Sequence, residues 1–249
     1  MNLPATDISL TRGHDTVPDE VRHVVSALEI EIVLGQLLPR ERLVEEELAA
    51  RFDAKRHVIR QALIELERIG MIDRKRNRGA AVRDFRPDDV NDLYSVREVL
   101  ETSAVARIPM PLDQQRLDEL IDLQRQHDAA ISQGDPIGIF HANNAFHRRL
   151  FALCDNEYLA AVIEDFAQKA HVIRSYSVLK PEYALKAREE HWSMIDALKS
   201  GDRKRLAALC GQHLNISRAP YIDAWRARFP KDASQKRAVP APRAHRGAQ

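Results

Sequence analysis

Apolar residues recur along the chain at a helical period broken by one short stretch with strand character. Val21, Val24, Val25, Leu28 and Ile32 share one side of a 3.6-residue repeat, which predicts an amphipathic helix from Pro18 to Leu34, stopped at Gly35. Leu48, Ala49 and Phe52 give a second, shorter helix one buried face. After a tight corner, Ile59, Ala62, Leu63, Leu66 and Ile69 give a third helix a longer face. That is a helix-turn-helix pattern. Gly70 ends the third helix, and Met71 to Lys75 and Ala80 to Arg83, around the turn-like Asn77-Arg78-Gly79, read as a hairpin wing. Asp84 to Pro87 is a linker, because a proline biases the residue before it out of the helical region, and Asp88 reads as the cap of the next helix.

From there to Phe229 the periodicity is helical throughout. Helices are expected near 88–108, 113–133, 136–154, 156–179, 181–200 and 202–228, separated by Pro109 and Pro111, Gly134-Asp135-Pro136, Asp155-Asn156, Lys180-Pro181 and Ser200-Gly201-Asp202. The fold class is therefore mainly α: an N-terminal winged helix-turn-helix with a small β wing, then an all-helical bundle. The domain organisation expected is a flexible arm at 1–17, the winged helix at 18–86, the helical domain at 88–229 and a disordered basic tail at 230–249, which is rich in Pro and Ala.

Charge changes the picture only locally. The formal net charge is +1, but the segment from Lys55 to Arg86 holds ten lysines and arginines against four acids. Arg56 and Arg60 are four apart at the start of the third helix and share a face, where a recognition helix sends its first turns into the major groove. A guanidinium there reads guanine or holds phosphate. Cys154 and Cys210 each lie in a helical apolar pattern and read as free buried thiols. No apolar run is long enough to cross a bilayer, and the first residues lack the apolar core of a secretory signal, so no membrane partner and a cytoplasmic location are expected.

The segment Leu43, Glu45, Leu48, Ala49, then Arg56, Ile59, Arg60, Ala62, Leu63, Leu66, Glu67, Gly70, Met71 and Ile72, then Gly79 and Val82, resembles the winged helix of the GntR family of bacterial transcription regulators. The resemblance implies operator contacts from Lys55, Arg56, Arg60 and Arg78, with Gly79 letting the wing approach the minor groove. Lys55 departs from the small hydroxyl residue usual there, and Glu46 stands where many relatives carry a further arginine. The helical region is similar to the FCD effector-binding domain of the FadR subfamily, in its six-helix VanR-like form, through DLYSVREVLE (Asp92 to Glu101), NNAFHRRLFALCDNEYL (Asn143 to Leu159), EHWSMIDALKSGD (Glu190 to Asp202) and QHL (Gln212 to Leu214).

Asn143 and His147 share a face of one helix, and His191 and His213 lie on the last two, so a bundle core could gather these imidazoles around one ion. The plain alternative is three separate polar histidines. The FCD resemblance implies a metal held by Asn143, His147, His191 and His213, with Asn143 in place of the family's Asp, and a divalent ion such as zinc or nickel. It also turns Arg97 towards the cavity to hold a carboxylate, against the alternative that Arg97 pairs with Glu101. His127, His141 and His171 match no ligand position and are expected at the surface or behind the ligands. The function implied is a homodimeric, ligand-responsive repressor of double-stranded operator DNA, released by a small carboxylate effector. A metal-free effector pocket and, more remotely, a metal-dependent hydrolase are the alternatives.

Overall fold

The computed structural model describes residues 17–75 and 79–230. The expected arm and tail lie almost wholly outside these residues, as do Arg78 and the tip of the wing.

Helix α1 (Asp19–Val33) buries Val21, Val24, Val25, Leu28 and Ile32, the face its periodicity marks, and Gly35 follows at φ +67°, a conformation that suits a residue without a Cβ. Helices α2 (Glu45–Arg51) and α3 (Arg56–Arg68) form the helix-turn-helix, with Ile59, Ala62, Leu63 and Leu66 of α3 inside. The wing pairs β2 (Ile72–Lys75) with β3 (Gly79–Val82) antiparallel, Ile72 opposite Val82 and Lys75 opposite Gly79. A third strand, β1 (Arg42–Leu43), joins the other edge of β3, giving the order β1-β3-β2. Two residues are too few for alternation to show, which is why the sequence gives no sign of it.

The bundle comprises α4 (Pro87–Val105), α5 (Gln114–Gln133), α6 (Pro136–Ala152), α7 (Glu157–Lys169), α8 (His171–Val178), α9 (Pro181–Lys199), α10 (Arg203–His213) and α11 (Asn215–Arg228). These are eight helical segments where six were expected. The 156–179 stretch breaks at Ala170 and the 202–228 stretch at Leu214, both buried and neither a glycine or proline. The first break turns the chain so that Ala170, Val172 and Ile173 join the apolar cluster containing α1. Tertiary burial decides it, and no local signal announces it. The cap of α4 also differs: the helix starts at Pro87, and Asp89, not Asp88, accepts the backbone N–H of the N-cap residue Arg86 at 3.3 Å.

The winged helix is packed onto the bundle rather than tethered to it. One apolar cluster runs from Val21 of α1 through Leu63 of α3 to Ile173 of α8 and Trp225 of α11, and each such aliphatic side chain fully buried contributes about 1.5–3 kcal/mol. Polar contacts fix the seam. The backbone N–H of Phe85 donates to the Tyr221 hydroxyl at 2.9 Å; Asp84 accepts from Trp225 Nε1 at 3.0 Å and from Arg40 Nε at 2.7 Å. Gly70, at φ +77°, lies so near α7 that a Cβ there would sit 2.9 Å from the Lys169 Cα. A second apolar cluster, including Phe146, Leu150, Met194 and Leu198, fills the far end of the bundle. Both cysteines are free and buried, and among the described residues no helix is long and apolar enough to cross a membrane.

Candidate metal centre and DNA-facing helix

Helices α6, α9 and α10 bring His147, His191 and His213 together. Their three Nε2 atoms face one another: 3.0 Å between His147 and His213, 3.2 Å between His147 and His191, 3.3 Å between His191 and His213. Nitrogens bound about 2.0–2.1 Å from one first-row ion stand apart by about this much. The rings are held in place by packing. His191 is completely buried and stacks on Phe146 with centroids 4.1 Å apart, while His147 lies parallel to Phe151.

Hydrogen bonds behind the His191 and His213 rings set which nitrogen of each carries the proton. The Gln124 side-chain amide donates to Asp128 at 2.7 Å, which orients its oxygen to accept from His191 Nδ1–H at 2.8 Å. Trp192 Nε1 donates to the other oxygen of Asp128 at 3.0 Å. Glu190 accepts from His213 Nδ1–H at 2.8 Å. With both protons on Nδ1, the Nε2 atoms of His191 and His213 present lone pairs to each other and to His147. Burial pushes His147 and His191 well below the ordinary imidazole value, and the neighbouring His213 and Arg174 push the same way, so neither relieves the repulsion by charging. Opposed lone pairs backed by proton acceptors are the donor set a divalent cation requires.

A cavity of about 40 Å³ adjoins the His147 and His213 rings, lined also by Arg97, His127, Asn143 and Arg174 among others. Asn143, one turn before His147, faces this cavity and makes no hydrogen bond among the described residues. A larger cleft of about 870 Å³ between α6 and α7 shares Arg97, His147 and Arg174 with it. Arg97 is buried and does pair with Glu101, Nε at 3.0 Å and Nη2 at 2.9 Å, yet its Nη1 is buried without a partner. The two readings of Arg97 are therefore compatible: one edge of the guanidinium is neutralised and the other is left over.

His127 is not at the surface. It is 1% exposed, its ring is 5.2 Å from that of His191, and its Nδ1 accepts from the Gln124 amide at 3.4 Å. Its proton must then lie on Nε2, a buried donor with no partner, and burial pushes its pKa down to about 4. His141 and His171 are drawn inward too, flanking Phe140 at 5.7 and 5.2 Å, each with an unpartnered Nδ1. Gln124, Asp128 and Glu190, which fix the tautomers of His191 and His213, carry no specific signal in the sequence as part of the site; Arg174, which lines both voids, reads there as a residue that could line the cavity, with nothing specific to support it. The i, i+4 spacing of Gln124 and Asp128 on one helix face was the only local trace of the first pair.

At the other end of the molecule, Lys55 caps α3, and Arg56 and Arg60 project from its first turns, 66% and 60% exposed. Arg56 pairs with Glu46 at 2.9 Å and Arg60 with Glu45 at 2.7 Å. Solvent-exposed pairs of this kind are weak, so they leave both guanidinium groups available to a stronger anion. Gly79 opens β3 at φ +75° with free space where a Cβ would lie.

The sequence pattern of the FCD domain matches residues 92–216, and that of the bacterial regulatory proteins of the gntR family matches residues 20–82. The chain is 25% identical over 232 residues to the HTH-type transcriptional regulator BphR of Paraburkholderia xenovorans (strain LB400), covering 85% of this chain and 94% of that one. It is 24% identical over 196 residues to the HTH-type transcriptional repressor RspR of Escherichia coli (strain K12), covering 78% and 85%. A solved transcriptional regulator structure from Rhodococcus sp. RHA1 shares the fold with a TM-score of 0.68 at 23% identity, over 84% of this chain and 100% of that one.

Proposed function

Since the chain belongs to the GntR family of DNA-binding transcription regulators, with an FCD domain behind its winged helix, we propose that it is a repressor released from its operator by a small organic acid bound at a metal-containing site in the bundle. The family is one of regulators, not enzymes, and the hydrolase reading is set aside on that ground.

The observation that carries the proposal is the convergence of three imidazole nitrogens beside two buried donors without partners, Arg97 Nη1 and His127 Nε2. His147, His191 and His213 would hold the ion, and Asn143 would offer a neutral amide oxygen in the family's carboxylate position. When bound, a divalent ion supplies a Lewis-acidic position that attracts a carboxylate oxygen. The protein's own part is to supply the orphaned donors. Burying a donor unpaired costs about 1–3 kcal/mol, which a carboxylate accepting from Arg97 and His127 would recover. A site one negative charge poorer than its relatives' favours an anion further.

Lys55, Arg56, Arg60 and the wing around Arg78 and Gly79 would contact operator DNA, Arg56 and Arg60 exchanging Glu46 and Glu45 for phosphate or base edges. Val96 and Val99 on α4 and Tyr158 and Val162 on α7 are exposed apolar residues on two helices in mutual contact, 41%, 68%, 80% and 41% accessible. They favour a homodimer joined through that face, which would set two recognition helices on a near-palindromic site in the cytoplasm. Ligand and DNA are coupled if the effector prefers one placement of the bundle against the winged helix, and the seam through Tyr221, Trp225 and Gly70 is where that placement would change.

Operator binding followed by fluorescence anisotropy tests this. Small carboxylates should weaken binding by the metal-loaded protein and leave the chelator-stripped protein unaffected. Equal responses with and without metal would favour the metal-free pocket, and no response to any carboxylate would refute the effector reading.

A further inference from the structure

Arg97 is the arginine to which family resemblance assigns the effector, but it is already half satisfied by Glu101. Arg174, on α8, is not. Its side chain is 7% exposed and makes no hydrogen bond or ion pair among the described residues. The carboxylates whose charge it feels, Glu101 and Glu164, are taken up by Arg97 and by Arg148 at 3.0 Å. It lines both the small cavity and the α6–α7 cleft. Beside it in the cleft are Asn144, buried with an unpartnered Oδ1, and His171, with an unpartnered Nδ1. Burial without a counter-ion, with Arg97 nearby, pushes Arg174 down to about 10. A cation buried this way is costly unless something pairs with it.

We propose that Arg174 holds an anionic group of the effector, which enters through the α6–α7 cleft, and that the effector is a small dianionic acid. The class follows from charge. Two arginines face one glutamate at the inner end of the cleft, leaving one positive charge; a divalent ion on the three histidines, with Glu190 behind His213, leaves another. Two carboxylates balance them. The inference rests on the metal-site reading above and adds a residue with a route to DNA. Helix α8 packs against α1, and Val172 and Ile173 beside Arg174 belong to the apolar cluster that includes Leu28 and Ile32. Pulling Arg174 onto a ligand would shift the helix on which the winged domain rests.

The test compares parent, Arg174→Gln and Arg174→Met in thermal unfolding and operator binding, with succinate and butyrate as the matched dianion and monoanion. The ligand-free variants should keep the parent's metal content and operator affinity and melt at the same or a higher temperature, since an unpaired buried charge has gone. Succinate should stabilise the parent at a concentration about tenfold lower than butyrate does, and that preference should vanish in both variants. A fall of several degrees in the ligand-free variants would make Arg174 a structural residue and overturn the proposal, as would a retained succinate preference. Equal action of the two acids on the parent would overturn the dianion class while leaving the carboxylate reading intact. If neither acid acts on the metal-loaded parent, it is that underlying reading which fails.

Discussion

At the scale of single residues, the candidate metal centre rests on side chains outside the three histidines. Gln124 and Glu190 each fix a proton on the far nitrogen of a histidine, which keeps the near nitrogen free. Partners of this kind are worth about 10–100-fold in metal affinity. Gln124→Leu should therefore raise the dissociation constant for zinc by that order in a competition titration against a chelating dye, with the fold retained because the amide is replaced by a side chain of similar size. Unchanged affinity would mean that the His191 tautomer does not matter. The grouping of His147, His191 and His213 was legible in the sequence through the family resemblance. Gln124 was not, because it meets His191 from a helix 67 positions away, and the isolation of Arg174 was not, because it is a property of what fails to surround that side chain in space. For the same reason the choice between surface and a place behind the ligands stayed open for His127: a histidine on an amphipathic helix looks solvated until the helix packed against it is known.

At the scale of elements, the periodic pattern carried well where one helix buries one face. Helices α1, α5, α6 and α9 lie within a few residues of their predicted spans because capping residues, prolines and glycines punctuate them. It failed at Ala170 and Leu214, where buried residues in good helical sequence turn the chain, and at β1, which exists only as a partner to β3. Helix α1 also carries a cost hidden from pattern reading. Glu29 makes no hydrogen bond or ion pair among the described residues, and burial pushes its pKa from 4.5 up to about 7. The folded chain then retains a proton that the unfolded chain releases above 4.5, so Glu29's contribution is fully present below that value and is lost as the pH rises through about 7. Glu29→Gln should match the parent's melting temperature near about pH 5 and exceed it near about pH 8. Parallel melting curves across that range would show that Glu29 is solvated in the folded protein.

At the scale of the whole molecule, the winged helix and the bundle share an apolar core, and the seam is closed by Asp84, Tyr221, Trp225 and the close approach of Gly70 to α7. A rearrangement at the histidines can therefore be felt at α3 without a flexible linker to absorb it. Domain order and fold class were readable in the sequence, since the helix-turn-helix, the wing and the helical run each have their own period. How the two parts lean on each other was not, because Gly70 and Lys169, or Phe85 and Tyr221, are joined only by folding. Effector response in this protein turns on whether the bundle holds an ion, and the most direct measurement is elemental mass spectrometry of the protein purified without added metal or chelating resin, beside His191→Ala prepared in the same way. The parent should carry about one zinc, nickel or similar divalent ion per chain, a single-site stoichiometry for three convergent imidazoles, and the variant little. A parent that carries no metal and takes none up on titration would contradict that expectation.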